Sequence, residues 1–337
     1  MITASPGARI TSPALADWRQ LWRDAITDGR ELLDLLQLGH LADRLPAEDA
    51  GFALRVPRGF AARMRQGDAR DPLLLQVLPQ LAELDRVPGF VEDAVGDMAS
   101  RETQGVLHKY QGRALLIASG SCAINCRYCF RRHFPYGEEM AAAGQWRQAL
   151  EYVRQDTSIT ELILSGGDPL SLATSKLEEL SRGLMNLPHV TRLRIHTRLP
   201  VVLPERIDGP FVEWLHSLAH QKVVVLHANH ANEFDAEVDA ACARLREAGA
   251  TLLNQSVLLR GINDDARTLT TLSERLFAAG VLPYYLHQLD RVQGAAHFEV
   301  DDARAQSLVT SMRSQLPGYL VPKLVREVGG DPSKRPL

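Results

Sequence analysis

Cys122-Ala-Ile-Asn-Cys126-Arg-Tyr-Cys129 gathers three of the chain's four cysteines into eight residues, spaced C-x3-C-x2-C. Thiolates at this spacing can ligate three irons of a [4Fe–4S] cubane and leave the fourth iron open to a substrate or cofactor. A structural zinc site is the rival reading, with His133 or Cys242 as the fourth ligand. Cys242 lies between Ala241 and Ala243 on the apolar face of a predicted helix, where packing accounts for it.

The surroundings of this stretch decide the fold. Just before it, Ala114-Leu-Leu-Ile-Ala-Ser119 is a short apolar run ending at Gly120. Five similar runs come after it: 161–165, 192–196, 222–227, 251–257 and 281–287. Amphipathic helices are predicted between them, on faces such as Leu177, Leu180 and Leu184, or Leu269, Leu272 and Leu276. Gly249 and Gly280 end two of these helices. Near-continuous apolar strands alternating with helices imply βα units around a parallel sheet. Ser165, His196, His227, Gln255 and His287 lie at the C-terminal ends of their runs. In a β/α barrel that end carries the active site. Pattern alone leaves a partial (β/α)6 barrel and a doubly wound sheet both open.

Residues 1–106 read as mostly helical. Ser12-Pro13 is a helix start ahead of Leu15, Trp18, Leu21 and Trp22, and Leu32 to Leu36 continue the apolar pattern. Pro57, Pro72 and Pro79 break up the segment from 53 to 90. Across 337 residues, 45% hydrophobic and 23% charged content is that of an ordinary soluble protein. A net charge of −3 gives no strong attraction to nucleic acid or membrane. No basic segment followed by an apolar run marks a signal peptide, and no apolar run nears the ~20 residues that span a bilayer. Clustered cysteines fit metal binding in a reducing compartment better than a disulfide framework, so the cytoplasm is expected.

Other polar groups gather around the cysteines. Ser165-Gly166-Gly167-Asp168-Pro-Leu reads either as a strand-to-helix turn or as a glycine stretch whose backbone can approach a ligand. Arg131, two residues past Cys129, can clamp a carboxylate. Asp290 and Glu327 come after late strands, and two carboxylates suit an ammonium group. Lys334 stands in Gly329-Gly-Asp-Pro-Ser-Lys334, three residues before the last one given.

Taken together, these segments resemble the lysine 2,3-aminomutase family of radical S-adenosylmethionine (SAM) enzymes. The resemblance runs from Leu107 to Lys334 through Leu107–Tyr110, Cys122–Tyr136, Ser165–Leu170, Arg194–Pro204, His227–Glu233, Asn254–Asp264 and Tyr284–Phe298. Cys126–Tyr136, Gln293–Phe298 and Gly318–Leu324 resemble the shorter branch that supplies β-lysine for modifying elongation factor P. The resemblance implies a partial (β/α)6 TIM-type barrel over residues 107–337, closed by a C-terminal segment carrying the pyridoxal phosphate (PLP) lysine. It implies an isomerase that converts (S)-α-lysine to β-lysine, the R isomer, with a [4Fe–4S] cluster, SAM and PLP. Cys122, Cys126 and Cys129 would hold the cluster. Tyr128, Ser165, Gly166, Gly167, Asp168, His227 and Gln255 would line the SAM site. Lys334 would anchor PLP covalently, with Lys109, Tyr110 and Arg113 nearby. Arg131 would hold the substrate carboxylate, and Asp290 and Glu327 its ε-ammonium. Implied partners are free L-lysine, a ligase that passes β-lysine to elongation factor P, and an electron donor such as flavodoxin or ferredoxin. The alternative substrates are other amino acids, glutamate among them. Two features depart from the longer branch of the family, which carries Asp where this chain has Glu327 and extends beyond the segment that ends here at Leu337.

Overall fold

The computed structural model describes residues 17–46, 52–144 and 146–337. The expected helix start at Ser12-Pro13, with Leu15, lies outside them. Trp18, Leu21 and Trp22 fall in α1 (Trp18–Arg23), which Asp17 caps by accepting from the Arg19 amide. The remaining α-helices before the sheet are short: α2 (Gly29–Leu35), α3 (Arg58–Ala61) and α4 (Pro72–Leu75). The prolines explain the brevity, because Pro57 precedes α3 and Pro72 opens α4. Leu32, Leu33, Phe60, Leu73 and Leu74 are fully buried, and their cluster is continuous with that of the barrel.

Ten strands then lie side by side in the order of the sequence: β1 (Arg101–Thr103), β2 (Val106–Tyr110), β3 (Arg113–Ser119), β4 (Glu161–Gly166), β5 (Arg192–Thr197), β6 (Gln221–Leu226), β7 (Ala250–Val257), β8 (Leu282–His287), β9 (Lys323–Arg326) and β10 (Arg335–Pro336). Strands β3 to β9 are parallel, while β1 and β2 at one edge and β10 at the other are antiparallel. The six apolar runs are β3 to β8. Helices α5 (Arg147–Gln155), α6 (Thr174–Leu184), α7 (Leu199–Val202), α8 (Gly209–Ser217), α9 (Ala236–Glu247), α10 (Ala266–Ala278) and α11 (Asp302–Arg313) occupy the crossovers. Asp208, Asp235, Asp265 and Asp301 cap α8 to α11 through side-chain bonds to first-turn amides. The sheet order ends at β1 and β10 without joining them, so the molecule is a partial, open (β/α) barrel.

Register explains how an apolar strand can also line a polar chamber. Leu116, Leu164, Ile195, Val224 and Leu252 pair across successive strands and are buried in the main core. Their strand neighbours Leu115, Ile163 and Arg194 point the other way, into the barrel. Among the described residues no helix is long and apolar enough to cross a membrane.

Candidate active site

The barrel interior encloses a cavity of about 670 Å³. The site residues expected from the sequence all line it, from Cys122, Cys126 and Cys129 at the C-terminal strand ends to Lys334 and Glu327 beside β9. The cavity also reaches Arg113, Glu161 and Lys323 at the N-terminal starts of β3, β4 and β9. It therefore extends deeper than the strand-end site expected from pattern, because inward positions carry Arg, Tyr and His in place of the branched apolar layers that fill a closed barrel.

The glycine stretch sits hard against the cysteine loop. Gly166 has φ +117°, and a Cβ there would stand 2.5 Å from the Ser119 carbonyl oxygen. A Cβ on Gly167 would come within 2.6 Å of the Ser121 carbonyl oxygen. The Gly167 and Asp168 amides donate to the carbonyls of Ser119 and Ser121 at 2.7 and 2.8 Å. The Asp168 carboxylate is spent on protein donors: the Thr197 hydroxyl and the amides of Leu170, Arg198 and Leu199. It ties the β4 loop to the β5 loop.

Arg198 is a site residue that the sequence reading did not single out. Its Nη1 lies 2.6 Å from Cys126 Sγ and 2.7 Å from the Tyr128 hydroxyl, and its Nη2 donates to Gln76 and Glu233. Asn229 also donates to the Tyr128 hydroxyl, at 2.6 Å. Gln255 and His227 are bonded to each other at 2.8 Å. Burial, with Arg198 and Arg131 nearby, holds the His227 imidazole down at about 3. Burial likewise holds His196 and His287 well below the usual range, so all three rings are neutral at physiological pH.

A chain of alternating charges crosses the chamber. Arg131 Nε donates to Asp97 Oδ2 at 2.6 Å, and its Nη1 to Ser165 Oγ at 3.1 Å. Lys109 Nζ pairs with Asp97 Oδ1 at 2.7 Å and with Glu327 Oε1 at 3.2 Å. Lys334 Nζ pairs with Glu327 Oε2. Burial alone would raise the Glu327 carboxyl, but Lys334 and Lys109 outweigh it and bring it to about 2. Asp290 has no such partner. Its Oδ1 is buried without a hydrogen bond, and burial together with the Glu327 charge pushes its carboxyl up to about 7. Asp97 escaped the sequence reading because it lies 34 positions from Arg131 in a segment with no motif.

The donor set fits the groups that the resemblance implies. Burial and mutual repulsion push the Cys122 thiol well up and the Cys129 thiol to about 11, so a cation bound between the thiols would relieve them, while among the described residues no three side chains are already gathered into a metal-holding group. His133 and Cys242 do not line the cavity, and Cys242 is fully buried on α9, which leaves zinc without either candidate fourth ligand. The unpaired Asp290 Oδ1 suits an ammonium, and Arg113, Arg313 and Lys323 at the far end suit a phosphate.

These features define an iron–sulfur barrel with an acid-lined substrate chamber. A family model described as a 4Fe-4S single cluster domain matches residues 111–188. The chain is 50% identical over 330 residues to the L-lysine 2,3-aminomutase of Escherichia coli (strain K12), covering 97% of this chain and 96% of that one. It is 45% identical to the L-lysine 2,3-aminomutase of Haemophilus influenzae, covering 94% of each. Against the L-lysine 2,3-aminomutase of Clostridium subterminale it is 31% identical, covering 95% of this chain and 77% of that one. The chain belongs to the lysine 2,3-aminomutase family.

Proposed function

We propose that this chain is a radical SAM, PLP-dependent isomerase that converts L-lysine to β-lysine for modification of elongation factor P. The observation that carries the reading is the single cavity shared by the cysteine triad, Arg131, the Asp290–Glu327 acids and Lys334. Cys122, Cys126 and Cys129 hold three irons, and Arg198 supports Cys126 and Tyr128 from behind. When bound, the cluster and SAM would supply radical chemistry and PLP would supply the imine chemistry that amino-group migration needs. Lys334 anchors PLP, and Lys109 and Tyr110 flank it. Arg131 binds the lysine carboxylate through Nη2, the guanidinium nitrogen that Asp97 and Ser165 leave free. Asp290 accepts the ε-ammonium beside Glu327.

Burial and the Glu327 charge lift the Asp290 carboxyl to about 7, so it can release its proton near physiological pH. The histidines are neutral, and burial raises the Tyr110 and Tyr285 phenols, so stray proton transfer is suppressed. Glutamate is disfavoured as substrate because its side-chain carboxylate would meet Asp290 and Glu327. Within this reading residues 107–337 form the radical SAM core with the C-terminal PLP-lysine segment, and the N-terminal region 1–106 contributes Asp97 to the chamber. The product is the R isomer, it passes to an elongation factor P ligase in the cytoplasm, and a flavodoxin or ferredoxin supplies the electron.

The test is anaerobic reconstitution. Iron and sulfide are expected at about four each per chain, with β-lysine formed from lysine, SAM, PLP and a reductant. Lys334→Ala is expected to lose the PLP absorption while keeping its iron. An intact, reducible cluster that makes no β-lysine would overturn the proposal, and a panel of amino acids would reveal any other substrate.

A further inference from the structure

Behind the cysteine loop lies a second charged cluster that contacts neither the cavity nor Arg131. Glu83, in the 3-10 turn Leu81–Leu84, accepts from Arg127 Nε at 2.8 Å and Arg127 Nη2 at 2.5 Å. Arg132 Nη2 donates to the same carboxylate at 2.8 Å. All three side chains are sealed from solvent, at 0%, 0% and 1% exposure. The Phe52 ring packs beside both guanidiniums, 5.2 Å from one and 4.9 Å from the other. Arg127 sits between Cys126 and Cys129, and Arg132 comes three residues after Cys129.

The same segment grips the loop by its backbone. The Asn125 amide donates to Arg55 O, its side chain to Ala53 O, and the Arg127 amide to Gln76 O. These bonds already locate the loop. A buried ion triad is a costly addition, since apolar side chains of similar volume are commonly as stable or more so. One Arg–Glu pair would also have been neutral. The second arginine leaves a surplus positive charge and an unpartnered Arg132 Nε.

We infer that Glu83, Arg127 and Arg132 form a positioning and charge-setting device for the iron–sulfur centre, whose net charge of +1 favours the reduced cluster. This rests on the functional reading above, because it requires a redox cluster on Cys122, Cys126 and Cys129. Reduction places one electron from an external one-electron donor on the cluster, with no proton taken up in the triad. A fixed neighbouring cation in a dry environment offsets the added negative charge, and cluster potentials follow net local charge. Arg132 and Cys129 also act on each other electrostatically.

The experiment is an anaerobic redox titration of the reconstituted holoenzyme with dithionite, followed by the electron paramagnetic resonance of the reduced cluster. Glu83→Gln raises the triad to +2, and its midpoint potential is expected to move up. Arg132→Met lowers the triad to zero, and its potential is expected to move down. Arg132→Lys keeps the charge while altering the hydrogen bonds, and its potential is expected to stay near wild type. If Glu83→Gln fails to retain iron, the Met and Lys variants at 132 still decide. Shifts of the same sign in Glu83→Gln and Arg132→Met, or a Lys variant that tracks the Met variant, would overturn the inference and leave a purely structural clamp. A wild-type protein with no redox-active cluster would instead sink the functional reading.

Discussion

Asp290→Asn separates charge from shape in the chamber, just past the C-terminal end of β8. In the substrate-free protein, burial and Glu327 lift the Asp290 carboxyl from 3.8 to about 7. The unfolded chain gives up this proton near pH 4 and the folded chain near pH 7, so stability falls as pH rises through that window. About three pH units at ~1.4 kcal/mol each amount to about 4 kcal/mol at pH 8. Asn removes that penalty, so the variant is expected to be more stable than wild type at pH 8 and comparable at pH 4. Lysine binding should respond in the opposite sense. An ammonium needs the charged carboxylate, so wild-type affinity should weaken about tenfold per pH unit below 7 and level off above it. Losing one partner of a buried charge pair costs about 2–5 kcal/mol, so Asn should weaken binding by about 30-fold or more at pH 8. The assay is lysine titration of the unreduced holoenzyme, followed by PLP absorbance between pH 5.5 and 8.5, with urea unfolding at the same pH values. Any dependence from the substrate's own α-amine is common to both proteins and cancels in their ratio. Parallel pH profiles for the two proteins would refute the reasoning.

Asp97→Asn removes the charge that holds both Arg131 and Lys109. A rise in KM for lysine of about tenfold or more, with a smaller change in kcat, is expected from steady-state kinetics, because one charge-assisted bond is worth about 1.5–3 kcal/mol. Gly167→Ala forces a methyl against the Ser121 carbonyl, displacing the cysteine loop. Iron retention after gel filtration should fall while the far-ultraviolet circular dichroism stays native. In the PLP-free protein Lys109→Met leaves Glu327 with Lys334 alone, so the Glu327 carboxyl should rise from about 2 toward its ordinary value, and urea unfolding should show the variant losing less stability than wild type as the pH falls from 5 to 3.

The barrel was legible because its strands are short apolar-rich runs between amphipathic helices, and five of the six carry at or near their C-terminal end a polar residue that lines the cavity. Ser165, His196, His227, Gln255 and His287 all obey this rule, and all line the chamber. Arg198 obeys it as well, one residue past the end of β5, and could have been found that way. Asp97 obeys no local rule, and the one local role of Glu83, accepting from the Gln80 amide at the start of the Leu81–Leu84 turn, does not point to the cysteine loop. Their significance arises from contacts 34 to 49 positions away, between irregular segments, and neither periodicity nor spacing encodes such contacts. The engagement of Arg131 by Asp97 was hidden for the same reason, and it changes which edge of the guanidinium a carboxylate can meet. The edge strands β1, β2 and β10 were missed because they are two to five residues long and leave little apolar pattern, while β9 was legible only as the late strand ahead of Glu327.

The pairing of Lys109 with Glu327 spans 218 positions of sequence and bridges the open side of the barrel. Contacts so distant along the chain form late in folding, because the long loop between them must close first. A nascent chain complete through β8 already carries the cysteine loop and Arg131, yet has neither Glu327 nor Lys334. Closure of the chamber around the cysteine loop therefore waits on the last strands, which bring Glu327 and Lys334 to Lys109 and Asp290.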